Sequence, residues 1–277
     1  MKSLIVTADD FGAAQEVNDA VEIAHRDGIL TAASLMVSGA AATDAIRRTR
    51  AMPRLRVGLH VVLVEGRPTL PASAVPDLVD ATGNFRADMA MSAVNMFFRP
   101  KVRRQLEAEI EAQFDAFRAT GLALDHVNTH KHFHLHPTIA SAILRVGKAH
   151  GLRAMRVPLE PNAVLRRADP TAKLPAGLAT VPWAMLARAR LRAAGIRVPD
   201  QVFGLAWSGR MTARRVLGLI ENLPQGLTEL YLHPATGPYP GSAPGYRYTD
   251  ELAALTAPRV VQAFRNSGIA KGGFADF

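Results

Sequence analysis

Short apolar runs alternate with amphipathic stretches from the first residues onward. Residues 2–8 form an apolar run, β-branched in the middle, that meets two carboxylates, Asp9 and Asp10. This predicts a buried strand with a polar C-terminal end. Gly12 permits a turn. Residues 15–26 then place Val17, Ala20, Val21 and Ala24 three and four apart, the spacing of one helix face, with Gly28 at the position of a C-cap. The same reading gives strands at 31–37, 56–64, 125–127, 153–157 and 228–232. It gives helices at 40–50, 101–120, 138–150, 212–223 and 250–266, and a loop at 70–88. Strand and helix alternate, which predicts an α/β fold with a parallel sheet or barrel. Between 160 and 200 the periodicity weakens among Pro161, Pro170, Pro175, Pro182 and Pro199. That piece reads as an insertion on a single 1–277 domain.

The chain has 277 residues, 48% of them apolar, enough for a full core. No stretch approaches the roughly 18 unbroken apolar residues of a membrane span. The opening MKSLIVTADDFG meets acidic residues too early for a signal peptide. There is no cysteine, which excludes disulfides, thiolate metal sites and cysteine nucleophiles and fits a cytoplasmic location. Lys and Arg number 33 against 24 Asp and Glu, a formal +9, which suits an anionic partner. A basic nucleic-acid-binding protein with a metal-stabilised fold is one rival reading. Against it, the aromatics do not interleave with the arginines as a stacking platform requires. The absence of GxSxG, GxGxxG and GxxxxGK[ST] leaves serine-hydrolase chemistry and nucleotide cofactors without support.

Asp9, Asp10, His60, His130 and His233 all fall at predicted strand ends, where α/β barrels place their catalytic groups. Neighbouring residues at a strand end point to opposite sides, so one aspartate is expected at a metal and the other toward substrate. Five of the nine histidines lie between His126 and His136. Neutral imidazole is a common metal ligand. Read as extended chain, the run puts His130, His132, His134 and His136 on one face. Same-face residues about 7 Å apart allow only one or two of them to reach one ion. A carboxylate with two imidazoles leaves coordination positions open for water, and a second carboxylate can take that water's proton. This is the apparatus of amide or ester hydrolysis. A phosphodiesterase is the nearest enzymatic rival, but it would want two metals and more carboxylates than stand near the histidines.

Thr7-Ala8-Asp9-Asp10-Phe11-Gly12 resembles the opening motif of the YdjC-like carbohydrate deacetylases. The likeness continues through Gly58-Leu59-His60, the run from Thr129 to His134, and Leu232-His233-Pro234, in family order. It implies a distorted (β/α) barrel and a divalent metal, Mg²⁺ or Zn²⁺, used to remove an acetyl group from an N-acetylated amino sugar. Carried over, Asp10, His60 and His130 are the metal ligands, Asp9 the general base and His233 the candidate acid. His132 and Arg156 are expected substrate contacts. One position departs: the family usually has Asp two residues before the first histidine of the run, and here Asn128 stands there. Its amide oxygen can still orient a ligand, without the charge. The segment 195–211, with Asp200, Phe203-Gly204 and Ser208-Gly209, resembles the subgroup linked to hopanoid biosynthesis.

Residues 91–98 and 181–192 combine Trp, Met, Phe and Leu with arginines, which suits a surface resting on anionic lipid at the inner membrane. The plainer alternative packs Leu186, Ala189 and Ala193 onto the barrel with the arginines in water. A homodimer is carried as an expectation that no motif singles out.

Overall fold

A computed structural model describes residues 1–172 and 181–277. Pro175 and the rest of 173–180, within the expected insertion, lie outside the described residues. The strands are β1 (Lys2–Phe11), β2 (Ala32–Leu35), β3 (Arg56–Val61), β4 (Val127–Thr129), β5 (Gln201–Phe203), β6 (Gly226–Leu232) and β7 (Ala270–Lys271). They pair in parallel in the order β4-β3-β2-β1-β6-β5. β7 joins the start of β1, at Ser3 and Leu4, on the edge that β2 takes from Thr7 onward.

The two ends of this order are stitched together by residues 153–159. Val127 N donates to Ala154 O (3.0 Å), and Arg156 N to Val127 O (3.1 Å). On the other side Met155 N donates to Arg197 O (2.9 Å), and Val202 N to Leu159 O (3.0 Å). The expected 153–157 strand is therefore present as bridges that curl the sheet toward a barrel. Helices cover the outer face, as the α/β pattern requires.

Period-two alternation explains both faces. Leu4, Val6 and Ala8 of β1, Leu230 and Leu232 of β6, and Val57, Leu59 and Val61 of β3 join the large core under the helices. The intervening positions face inward. Ile5, Ala32 and Ala154 meet Phe274 in a small second core at one end. Above it the inner positions turn polar: Thr7 and Asp9, Ser34, His60, His126 and Asn128, Arg156, and Glu229, all buried.

Several expectations shift at boundaries. The 250–266 helix is two helices, Tyr248–Thr256 and Pro258–Asn266, because Pro258 has no N–H to continue a ladder and starts the second instead. A helix at Met89–Phe98 was not anticipated; Asp88 caps it by accepting from Met91 N. The described helices of the insertion, Asn162–Ala168 and Val181–Ala193, pack onto Ala213–Glu221 and Pro137–Ala149, so this piece belongs to the helical layer. Ala184, Ala187 and Leu191 form the packed face of Val181–Ala193, in place of Leu186, Ala189 and Ala193. Leu186 is exposed, with Trp183 and Met185. No described helix is long and apolar enough to cross a membrane.

Candidate active site

The C-terminal ends of β1, β3, β4 and β6 surround a cavity of about 310 Å³. Its lining includes Asp9, Asp10, His60, His130, His132 and His233, with Tyr239, Tyr246 and Tyr248 from the region after β6. Both aspartates face this cavity, against the expectation that they diverge. The cause is local: Asp10 has φ +63, a left-handed conformation, and the β1–β2 register shifts between Ala8 and Phe11.

Asp10 Oδ1 lies 3.3 Å from His60 Nε2 and 3.3 Å from His130 Nδ1. These three residues can each offer one ligand atom to a common point. Asp10 Oδ1 and His60 Nε2 are buried with no hydrogen-bond partner. Burial normally forbids such orphans, so the donor set fits a divalent cation. Burial opposes ionisation of Asp10, but the two imidazoles facing it outweigh that and hold its carboxyl well below the ordinary range.

Asp9 sits beside them in a different environment. Arg156 grips it with two bonds, Nη1 to Oδ2 (2.5 Å) and Nη2 to Oδ1 (2.9 Å). Ser34 Oγ (3.0 Å) and Asn128 Nδ2 (3.1 Å) also donate to Oδ1. Burial pushes this carboxyl up, and Arg156 more than reverses it, so Asp9 stays ionised. Oδ1 is fully occupied; the spare acceptor capacity is on Oδ2. Arg156 is wholly buried and also donates from Nε and Nη2 to Glu229, at 2.6–3.0 Å. The expected substrate contact is therefore a buried tether between two carboxylates, outside the cavity lining.

The histidine run is not extended. Lys131 and His132 are both left-handed (φ +54 and +53), and the chain then turns in 3-10 fashion to Leu135. The four histidines consequently diverge. His130 joins Asp10. His132 Nε2 meets Tyr231 Oη at 2.8 Å. His134 Nδ1 turns inward to Thr129 Oγ1 at 2.8 Å. The His136 ring lies beside Phe97. His233 closes the cavity with its Nδ1 buried and unpartnered, and burial lowers its proton affinity. Tyr246 stands edge-on to it, its hydroxyl paired with Ser208 Oγ (2.7 Å). A Cβ on Gly209 would come within 2.3–2.7 Å of the Tyr246 ring, so only glycine lets that ring lie there.

The profile of the YdjC-like protein family matches residues 3–266. This chain belongs to that family. A carbohydrate deacetylase of Brevibacillus brevis is 29% identical over 272 residues, 96% of either chain. A carbohydrate deacetylase of Mus musculus is 33% identical across 96% of this chain and 92% of its own. A crystal structure of a putative cellobiose-phosphate cleavage protein from Enterococcus faecalis V583 aligns with TM-score 0.76 at 23% identity, over 99% of this chain and 98% of that one, and shows the same fold.

In this YdjC-like chain the departure at Asn128 preserves the orienting bond. His60 Nδ1–H donates to Asn128 Oδ1 at 2.7 Å, which leaves His60 Nε2 bare for a cation. The amide nitrogen adds what a carboxylate could not, donating to both Asp9 and Ser34. Sequence reasoning missed Ser34, Glu229, Tyr231 and Glu251. The first three could have been found as polar residues at the inward positions of their strands.

Glu251, buried in helix Tyr248–Thr256, accepts from Met211 N (2.9 Å) and His233 N (2.6 Å), anchoring the end of β6. Burial pushes its carboxyl up to about 7. The folded state therefore holds a proton that the unfolded chain, near 4.5, has lost. Its contribution falls as pH rises through that window, by about 3 kcal/mol, and is flat above it. Buried neutral His132, His134 and His233 give the opposite slope, so the effect is read as a difference. Urea unfolding at pH 5 and pH 8 should show wild type losing its margin over Glu251→Gln at the higher pH; parallel pH profiles would refute this.

Proposed function

We propose that this chain is a metal-dependent N-deacetylase acting on an N-acetylglucosamine-type sugar carried by a hopanoid-type lipid. The observation behind it is the Asp10–His60–His130 cluster, with Asp10 Oδ1 and His60 Nε2 buried and unsatisfied, flanked in one cavity by Asp9 and His233. A divalent ion held there supplies Lewis-acid polarisation of the acetamide carbonyl and acidifies water. Asp9 Oδ2 takes the proton of the attacking water, with Arg156, Ser34 and Asn128 keeping the carboxylate aimed. His233, neutral in the resting site, hands on to the departing amine the proton that Asp9 takes from the water. His132, its Nε2 accepting from Tyr231 Oη, presents Nδ1–H to a sugar oxygen. The deacetylase names of its relatives support the same reaction. A two-metal phosphodiesterase fits less well: Glu111, Asp115 and His150, the other group with ligand spacing among the described residues, are absent from the cavity lining.

Support for a lipid-borne sugar comes from the surface beside the cavity. An apolar groove of about 610 Å³, lined by Met89, Phe97, Phe133, Leu135 and Trp183 among others, shares Lys131 and His132 with the catalytic cavity. Around it Met91, Val94, Phe98 (70% exposed), Met185 and Leu186 face outward. Arg103, Arg104, Arg145 and Arg190 line the adjoining depression. On an anionic bilayer each such arginine contributes on the order of 1 kcal/mol, fading with salt. These features support a working position against the cytoplasmic face of the inner membrane, for a single chain or a homodimer.

Acetate release tests the reaction, and vesicle co-sedimentation across a salt series tests the surface. The expected results are ion-dependent acetate release from a GlcNAc-bearing hopanoid, and salt-sensitive binding to anionic vesicles that Trp183→Ala with Arg190→Ala abolishes. No vesicle binding at any salt, with full turnover of soluble chito-oligosaccharides, would remove the lipid part and keep the deacetylase.

A further inference from the structure

Three of the chain's four tyrosines line the catalytic cavity, and the proposed hydrolysis uses none of them. Tyr239, Tyr246 and Tyr248 come from the segment that leads from β6 into the helix Tyr248–Thr256. The fourth, Tyr231, is buried against His132. The three rings form one aromatic wall. Tyr239 and Tyr246 approach Tyr248 at 5.2 and 5.6 Å between ring centres, and Tyr246 approaches the His233 imidazole at 5.3 Å. Glu65 and Lys131, paired with each other, bring charge to the same cavity from the segments after β3 and β4.

The wall is held in place by the protein itself. Tyr246 Oη pairs with Ser208 Oγ (2.7 Å), and Tyr248 Oη accepts from Ala243 N (2.7 Å). Arg247 N donates to Gly209 O (2.7 Å), which ties the tyrosine segment to the one after β5. That second segment is pinned by Glu160, whose carboxylate accepts from Gly204, Leu205 and Ala206 N at 2.7–2.8 Å. Gly209 lies against the Tyr246 ring with no room for a Cβ. With one side backed and the hydroxyl engaged, what Tyr246 offers the cavity is ring surface. A surface fixed in advance loses little freedom when a ligand lands on it. The ligand that suits it has apolar faces and a polar rim, and a pyranose is built that way. Its axial C–H groups are drawn to the electron-rich face of an aromatic ring. Its rim hydroxyls can exchange hydrogen bonds with Glu65 and Lys131. The cavity, about 310 Å³, stands at the small end of the roughly 300–1,000 Å³ of small-ligand sites, which suits one sugar ring at a time.

We propose that Tyr246 is the platform on which the substrate's pyranose ring lies, with Tyr239 and Tyr248 extending the same wall and Glu65 and Lys131 meeting its hydroxyls. A sugar lying there stands beside His233, so one contact both recognises the ring and brings its nitrogen substituent to the reacting groups. The platform holds the ring equally before and during reaction, so it acts on KM far more than on kcat. That the sugar is acetylated rests on the deacetylase reading; the contact of Tyr246 with a pyranose does not.

Nuclear Overhauser effects from tyrosine ring protons to the C–H protons of the fully deacetylated chito-disaccharide, which is not consumed, read the contact directly. The probe is the zinc-loaded full chain protonated only at tyrosine, with the Tyr246 signals identified by their loss in Tyr246→Phe. Wild type should show the effect from Tyr246 to the sugar. Tyr246→Leu should raise KM for an acetylated chito-oligosaccharide about tenfold, with kcat changed far less. Tyr246→Phe, which keeps the ring, should raise KM less. No effect from Tyr246 to the sugar in wild type overturns the platform. So does a Tyr246→Leu variant of wild-type melting temperature whose loss falls on kcat with KM unchanged. Wild type that shows the contact and releases no acetate would instead defeat the deacetylase reading and leave the platform standing.

Discussion

Asp9→Asn should bind zinc as wild type does and turn over substrate roughly 10²–10⁴-fold more slowly, the range for losing a general base. The two functions are separable because Asp10 Oδ1, not Asp9, meets the two imidazoles. His60→Ala should lose ion and turnover together, since its buried, unpartnered Nε2, held in place by Asn128, is the proposed ligand atom. Isothermal titration with zinc beside an acetate-release assay distinguishes the pair. Matching loss of zinc in both variants would make Asp9 a ligand and leave the base unassigned.

Arg156→Met should cost about 3–5 kcal/mol of folding stability, the usual effect of stripping one partner from a buried ion pair. Arg156 is the shared counter-charge of Asp9 and Glu229, and all three are buried. Thr7 Oγ1 also donates to Glu229, but a hydroxyl cannot replace a cation. Arg156→Lys should recover only part of the loss, because a point charge cannot fork between two carboxylates. Urea unfolding at neutral pH measures both. A change below about 1 kcal/mol in Arg156→Met would mean that water or a proton already neutralises the cluster.

The fold was legible where apolar periodicity is strong. β1, the helix Gln15–Arg26 and the helix Pro100–Ala119 stand within a residue or a few of their expected bounds. What periodicity could not show was backbone handedness. Asp10, Lys131 and His132 take left-handed conformations although none is glycine, and nothing local in the sequence announces it. That one feature overturned two expectations, the divergence of Asp9 from Asp10 and the shared face of the histidines. Asp10, His60 and His130 nonetheless come together as expected, because strand ends depend on topology rather than on handedness. Arg156 was misplaced for another reason: a sequence gives no sign that an arginine near a strand end will meet Glu229, 73 residues away.

β1 lies at the middle of the sheet, yet the neighbour on one side, β6, is joined to it by a bond such as Thr7 Oγ1 to Glu229 that spans 222 residues. On the ribosome, β1 emerges before the other described strands, and 222 residues separate Thr7 from Glu229, so that edge stays uncovered for a long stretch of synthesis. During this interval an apolar strand with unpaired amides is open to other chains. Nascent chains released before β6 should be bound by chaperones or aggregate, and slowing synthesis between β1 and β6 should matter more to yield than slowing it after β6.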